Sequence, residues 1–347
     1  MTPELSQLPT ILADLPTGQL FVLTDSHTVV HCLPILADSI GQIPYHLLTI
    51  EAGEQSKNLT SVQLVWDFLL KHHATREAVL INLGGGMITD LGGFAAATYM
   101  RGIRFLNIPT TLLAMVDASS GGKTGVDYQG IKNVIGTFTP PLTTLIHPEF
   151  LRTLPATELL SGFAEMLKHG LIASATHWQE LLRWNIHEQD IATLAPLIAD
   201  NIAIKQQIVS ADPHEKNIRR ILNFGHTIGH AIESSTLHHT TPHAHGYCVL
   251  WGMVAEVYLS VVHAGCPREV LTMLTHMMVE YYGRPQCNCQ QREQLIDWML
   301  HDKKNTVTPS SSPQINFTLL HDIGSPIINQ TLTTDAIQEA LEYLFSI

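Results

Sequence analysis

Along the first 150 residues, short apolar runs alternate with stretches whose apolar residues recur at helical spacing. Leu20–Thr24, His46–Ile50, Ala78–Leu83, Phe105–Ile108 and Thr144–Ile146 read as strands, and such alternation predicts an α/β domain with a mostly parallel sheet covered by helices. After Leu151 the strand-like runs stop. Pro155–Ile172, Ile191–Ser210 and His245–His263 then carry apolar positions at the period of a helix, so the C-terminal part reads as an all-helical domain. Near the end, Thr308–Pro313 reads as a loop, Gln314–Leu320 and Pro326–Asn329 as a small hairpin, and a terminal helix is expected from about Thr334. Two domains follow, 1–153 and 154–347.

Composition then narrows the function classes. With 347 residues, 45% hydrophobic and only 14% charged, the chain is not disordered. Nineteen Lys and Arg against 31 Asp and Glu give a net charge of -12, which argues against nucleic acid and anionic membranes as partners. Apolar runs such as Ala78–Leu83 and Cys248–Val254 fall short of the roughly 20 residues that span a bilayer. The start, Met1-Thr-Pro-Glu-Leu-Ser6, lacks the basic and apolar segments of a secretory signal, so a cytoplasmic location is expected. Five cysteines, with only Cys287 and Cys289 close together, read as reduced thiols. Histidine is the unusual residue: His226, His230, His238, His239, His243 and His245 crowd one stretch, and metal binding must be weighed.

The strand Ala78–Leu83 runs directly into Gly84-Gly-Gly86, then Met-Ile-Thr-Asp90 and a helix. A strand, a glycine turn and a helix amino terminus suit a phosphate, because free N–H groups point at the anion. The spacing is not G-x-G-x-x-G, so a plain tight turn stands beside the nucleotide reading. Asp25, directly after a strand, suits a ribose hydroxyl or an ordinary helix cap. Gly122-Lys123-Thr124 has the look of a P-loop, but position 117, where that loop requires glycine, is Asp. What remains is a glycine-rich turn presenting Asp117 and Lys123, followed by Lys132 and Asn133, which suits a small anionic substrate.

His226 and His230 stand at i and i+4 on one helix face, the spacing by which a helix supplies two zinc ligands. Glu165 lies in the mostly apolar Gly162-Phe-Ala-Glu-Met-Leu-Lys168, where a carboxylate needs a cation. Lys168, one turn on, is the plain partner, a metal the alternative, and His243 and His245 are further candidate ligands or solvated surface. Arg101, Lys123, Lys132, Lys168, Lys205, Arg219, Lys303 and Lys304 all lie in or beside segments rich in Gly, His or Asn, whereas Lys71, Arg76 and Arg183 read as solvated. Convergence of the first group would make a locally positive pocket for a substrate carrying phosphate and carboxylate.

Taken in order, Leu83-Gly-Gly-Gly-Met-Ile-Thr-Asp90, Tyr99-Met-Arg-Gly102, Pro109-Thr-Thr111, Gly121-Gly-Lys-Thr124, Lys132-Asn133, Glu165-Met-Leu-Lys168, Leu222-Asn-Phe-Gly-His-Thr-Ile-Gly-His230 and Asp302-Lys-Lys304 resemble the dehydroquinate synthases. The resemblance covers roughly residues 20 to 305. It implies an α/β domain holding NAD, a helical domain holding Zn2+ or Co2+, an active site between them and a homodimer. It also implies conversion of 3-deoxy-arabino-heptulosonate 7-phosphate (DAHP) to 3-dehydroquinate and phosphate, with NAD reduced and reoxidised within one turnover.

Carried over residue by residue, the resemblance makes Glu165, His226 and His245 the metal ligands and His230 an acid/base group, where spacing alone made it a ligand. Arg101, Lys123, Lys132, Asn133, Lys168, Lys205, Arg219, Asn223 and Lys303 or Lys304 match substrate-gripping positions, and Asp117 a position between cofactor and substrate. Asp25, Glu54, Lys57, Gly85, Gly86, Asp90, Thr110, Thr111, Thr153 and Glu158 match NAD-binding positions; Asp117, Lys123 and Lys132 are placed beside the cofactor as well. Three departures stand out: Thr89 and Tyr247, where the family has Gly and Glu, and Ser120 in place of an aliphatic residue. His243 is the alternative third ligand. A related sugar phosphate cyclase, a metal-dependent NAD alcohol dehydrogenase and a metal-buffering degenerate homologue are the competing functions.

Overall fold

In the computed structural model, residues 3–15, 18–236, 243–286, 289–300 and 315–347 are described. They form two compact units. The first comprises Met1–Pro155 together with Glu188–Gln206, and the second Ala156–His187 and Gln207–Ile347. A single cut at 153/154 therefore leaves out the return of Glu188–Gln206 to the first unit, a return made in mid-helix, within Ile191–Ala211.

The first unit is built on a parallel sheet of β1 (Leu20–Asp25), β2 (Tyr45–Ile50), β3 (Val79–Gly84), β4 (Arg104–Pro109) and β7 (Thr143–Thr144), in the order β2-β1-β3-β4-β7. Every residue of β1 and β3 is buried, which is why both are mostly apolar: central strands of a parallel sheet are covered on both faces, and the buried Asn82 of β3 donates through Nδ2 to Asn107 Oδ1 at 3.0 Å. β2 lies at the edge and is half-exposed. Chain order reverses between β1 and β3, and at such a switch point the carboxyl ends of the strands open onto a crevice. Asp25 ends β1 and Gly84 ends β3 there. Between β4 and β7 the chain forms a feature that the sequence reading did not contain. Lys123–Tyr128 (β5) and Ile131–Phe138 (β6) pair as an antiparallel hairpin, turning through Gln129 and Gly130 in left-handed conformation.

The second unit is largely helical. Its principal elements are Ala156–Ala173, His226–Thr236, His245–His263 and Thr334–Ser346, with the antiparallel pair β8 (Asn316–Asp322) and β9 (Ser325–Thr331) where a hairpin was expected. The unit is thus helical but for this pair among its described residues. His245–His263 is long and apolar enough to cross a membrane by length and composition, but most of it is buried inside the protein, as in a core helix.

Candidate active site

In the second unit, three helices bring donor atoms together. Ala156–Ala173 carries Glu165, while the other two helices begin on His226 and His245. Glycine permits the close approach. A Cβ on Gly246 would stand 2.0 Å from the Ser161 carbonyl oxygen, and one on Gly252 would stand 2.1 Å from that of Gly225. Gly246 N also donates to Ser161 Oγ at 3.0 Å, pinning the His245 helix to the Glu165 helix.

The result is a tight cluster. Glu165 Oε1 lies 3.4 Å from His226 Nε2 and 3.5 Å from His245 Nε2. Those separations suit donors arranged around one ion at about 2 Å. Glu165 is fully buried, and Lys168 forms an ion pair with its other oxygen, so the plain partner anticipated from sequence and the two histidines are present together. The second nitrogen of each imidazole is engaged: His226 Nδ1 lies 3.1 Å from the Phe224 carbonyl oxygen and His245 Nδ1 3.1 Å from Glu233 Oε2. Burial works against a charged His245, but the Glu233 and Glu165 carboxylates outweigh it and lift its pKa to about 10 in the metal-free protein.

His230 stands beside this cluster, its ring centroid 5.1 Å from that of His226. With Glu233 and His245 it makes a second grouping, whose donor atoms lie within 4.8 Å of one another. His243 joins neither; it is exposed and meets Trp251 edge-on at 4.8 Å. Tyr247 packs against Tyr282 with ring centroids 5.0 Å apart.

A loop in the same unit fixes Arg219 and Asn223. Asp212 accepts the backbone N–H groups of Lys216 at 3.0 Å, Asn217 at 2.6 Å and Arg219 at 3.2 Å. Burial opposes its ionised form, yet these donors hold the carboxyl below its usual range. Arg219 is buried and donates through Nη1 to the Pro213 carbonyl at 2.6 Å. Asn223 Nδ2 donates to Glu215 Oε1 at 3.0 Å. Glu215 is not among the residues that the sequence singles out; its one signal there is an acid four residues before Arg219. Glu158 is exposed in the first turn of the Glu165 helix, and Lys303 and Lys304 lie outside the described residues.

In the first unit the glycine turn is followed by the helix Gly86–Thr98, whose amino end no side chain caps. A Cβ on Gly85 would meet Thr111 Cγ2 at 3.0 Å, and one on Gly86 would meet Ala118 Cβ at 3.1 Å. Thr110 Oγ1, nearby in sequence, is buried with no hydrogen-bond partner in the structure. Thr89 sits in regular helix, its hydroxyl donating to the Gly86 carbonyl at 3.1 Å, so glycine is not required there. Asp25 Oδ1 accepts the N–H groups of His27 and Thr28, both at 2.9 Å, which is the capping role anticipated as its plain alternative.

Lys57 Nζ is 2.7 Å from Asp90 Oδ2 and 3.7 Å from Glu54 Oε1. Burial opposes its charge, but these carboxylates win and raise its pKa. Asp117 lies on the π-helical turn Ala114–Ala118, a correction to its placement in a glycine-rich loop, and Lys205 Nζ is 2.6 Å from its Oδ1. Lys123 starts β5, exposed, and Lys132 and Asn133 share β6. Asn133 adopts φ 51°, and its N–H donates to Asp127 Oδ1 at 2.8 Å. Ser120 donates its N–H to the Asp117 carbonyl at 3.1 Å. Arg101, at φ 69°, and Thr153 are exposed at the ends of short turns.

Comparison with known proteins bears on what this arrangement serves. Residues 47–161 match the family model described as 3-dehydroquinate synthase N-terminal, and residues 162–305 that described as 3-dehydroquinate synthase C-terminal. The chain is 43% identical over 338 residues to the 3-dehydroquinate synthase of Parabacteroides distasonis, covering 97% of this chain and 94% of that one. Among solved structures, a 2-epi-5-epi-valiolone synthase from Streptomyces hygroscopicus subsp. jinggangensis, with NAD+ and Zn2+ bound, is 27% identical with a TM-score of 0.84, covering 99% of this chain and 95% of that one. A 2-deoxy-scyllo-inosose synthase shares the fold at a TM-score of 0.86 and 23% identity, covering 99% and 95% of the two chains. On the two matched halves and a relative aligned over nearly its whole length, the chain belongs to the 3-dehydroquinate synthase family.

Proposed function

We propose that the protein converts DAHP to 3-dehydroquinate and phosphate, a carbon–oxygen lyase reaction of the shikimate pathway. The observation that carries the reading is the convergence of Glu165 Oε1, His226 Nε2 and His245 Nε2 in a chain whose two halves match this family. The residues fit both expected cofactors. One carboxylate and two inward-turned imidazoles suit Zn2+ or Co2+ and are too few to fill a tetrahedral shell, leaving room for substrate. The uncapped helix end at Gly86, the glycines against Thr111 and Ala118, and the orphaned Thr110 hydroxyl suit the pyrophosphate of NAD.

When bound, NAD supplies a reversible hydride acceptor and the metal a Lewis acid for the hydroxyl being oxidised. The chain's own groups supply binding and proton movement. His230 takes and returns a proton at an imidazole nitrogen. Arg101, Lys123, Lys132, Asn133, Lys168, Lys205, Arg219, Asn223 and Lys303 or Lys304 bind carboxylate, hydroxyls and phosphate, with Asp117 oriented by Lys205. Asp25, Glu54, Lys57, Asp90, Thr153 and Glu158 complete the cofactor's surroundings. The same reading gives a cytoplasmic homodimer.

The test is phosphate release from DAHP compared with sedoheptulose 7-phosphate and glucose 6-phosphate, which lack the carboxylate. Release from DAHP alone is expected; release from a sugar phosphate in preference to DAHP would instead assign a related cyclase activity.

A further inference from the structure

We propose that Glu233 is a positioning residue for the metal site: it grips Nδ1 of His245, turns Nε2 toward Glu165 and His226, and sets how tightly the site holds a divalent cation without itself being a ligand. The proposal rests on the ligand set given above. Glu233 is 6% exposed, on the helix that begins with His226. Its Oε2 is 3.1 Å from His245 Nδ1, while Nε2 of the same ring points at Glu165 Oε1, 3.5 Å away. A carboxylate that accepts the Nδ1–H fixes the tautomer and leaves the Nε2 lone pair for a metal; such partners typically contribute 10- to 100-fold in affinity. One helix thereby provides one ligand directly and orients a second.

The two histidines are held by different means. His226 is anchored through the backbone, at the Phe224 carbonyl 3.1 Å from its Nδ1. That corner is clamped by the fully buried Glu256, which accepts the N–H groups of Gly225 at 2.6 Å, Thr227 at 3.1 Å and Ile228 at 3.2 Å. Changing Glu256 therefore disturbs the helix start, whereas Glu233 is a side-chain contact to one ring. The grouping of His230, Glu233 and His245 supplies the rival, in which Glu233 ligates the cation.

The experiment measures Zn2+ affinity of the metal-stripped full chain by competition with a chromophoric chelator, and records the visible spectrum of the Co2+ form. Wild type, Glu233→Gln, Glu233→Ala and His226→Ala are compared, with circular dichroism to verify folding. The Gln variant keeps an acceptor oxygen but not the charge. Expected are a roughly 10- to 100-fold weaker affinity in Glu233→Ala, a smaller loss in Glu233→Gln, a Co2+ spectrum of unchanged coordination number, and near-complete loss of binding in His226→Ala. Affinity within twofold of wild type in both Glu233 variants, with binding lost in His226→Ala, overturns the proposal and leaves the ligand set standing. Zinc retained by His226→Ala but lost by both Glu233 variants makes Glu233 a ligand and overturns both readings. Should the Glu233 variants not fold, 15N NMR of the zinc-loaded wild type decides: a protonated His245 Nδ1 is expected, and a metal-bound Nδ1 overturns the proposal.

Discussion

Replacing Gly246 by alanine probes the helix contact on which the metal cluster depends. The added Cβ would lie 2.0 Å from the Ser161 carbonyl oxygen and 2.6 Å from its carbon, both backbone atoms, against 3.4 Å where ordinary contact begins. Relief requires about 1.4 Å of separation between the Glu165 and His245 helices, because neither partner is a side chain that can rotate away. Overpacking of this kind costs about 1–3 kcal/mol, and each kcal/mol lowers the melting temperature by about 2–4 °C in a domain of 150–250 residues. The expected fall is then about 2–12 °C. Glu165 Oε1 and His245 Nε2, now 3.5 Å apart, would separate beyond the span of one zinc ion, and displacements near 1 Å can cost about 100-fold in rate. Gly18, with nothing within 4 Å and no positive φ, is the control: its alanine variant should match wild type. Differential scanning calorimetry with metal analysis checks both. A Gly246→Ala protein with wild-type melting temperature and full zinc content would refute the argument that this contact sets the site.

Three further outcomes follow from the same geometry. His226→Ala should lose zinc and activity together, whereas His230→Ala should keep zinc and lose about 10²- to 10⁴-fold in rate; metal content and kcat of the purified variants decide. Lys57→Met leaves Asp90 without the cation 2.7 Å away in a buried setting, so a loss of about 3–5 kcal/mol in denaturant unfolding is expected, and an unchanged midpoint would remove that pair from the account. His245 in the metal-free protein has a raised pKa, so its protonated form stabilises the fold fully below the unfolded value near 6.5, and that contribution is lost as pH rises through about 10. Zinc must displace this proton. Apparent zinc affinity should therefore rise about tenfold per pH unit between pH 7 and 9, and calorimetry in buffers of different ionisation enthalpy should show proton release.

How much of this was legible in the sequence depended on which part of the physics was local. β1, β3 and β4 announced themselves because strands covered on both faces are mostly apolar, as Leu20–Leu23, Val79–Ile81 and Phe105–Leu106 are. β5 and β6 did not, since Lys123–Tyr128 and Ile131–Phe138 mix glycine, charge and exposed apolar residues, and the segment reads as a glycine-rich turn facing a small anionic substrate. Glu165 was singled out as an acid in an apolar helix that needed a partner. The same reasoning applied to Glu256, between Ala255 and Val257, would have found the clamp on the Gly225 corner. Spacing paired His226 with His230; the resemblance substituted His245, and only the fold shows His245 Nε2 turned toward Glu165, with Nδ1 held by Glu233. The pairing of Lys205 with Asp117 was beyond local reading, because the helix Ile191–Ala211 gives no sign in its pattern that most of it belongs with the first unit.

The most direct test follows DAHP by 31P and 1H NMR with the zinc-loaded enzyme and NAD at about one-hundredth of the substrate concentration, while absorbance monitors NADH. One phosphate and one 3-dehydroquinate are expected for each DAHP consumed, through many turnovers per NAD, with no accumulation of NADH. Consumption that halts after one equivalent of NAD has become NADH, or an oxidised product that retains its phosphate, would contradict the proposed reaction.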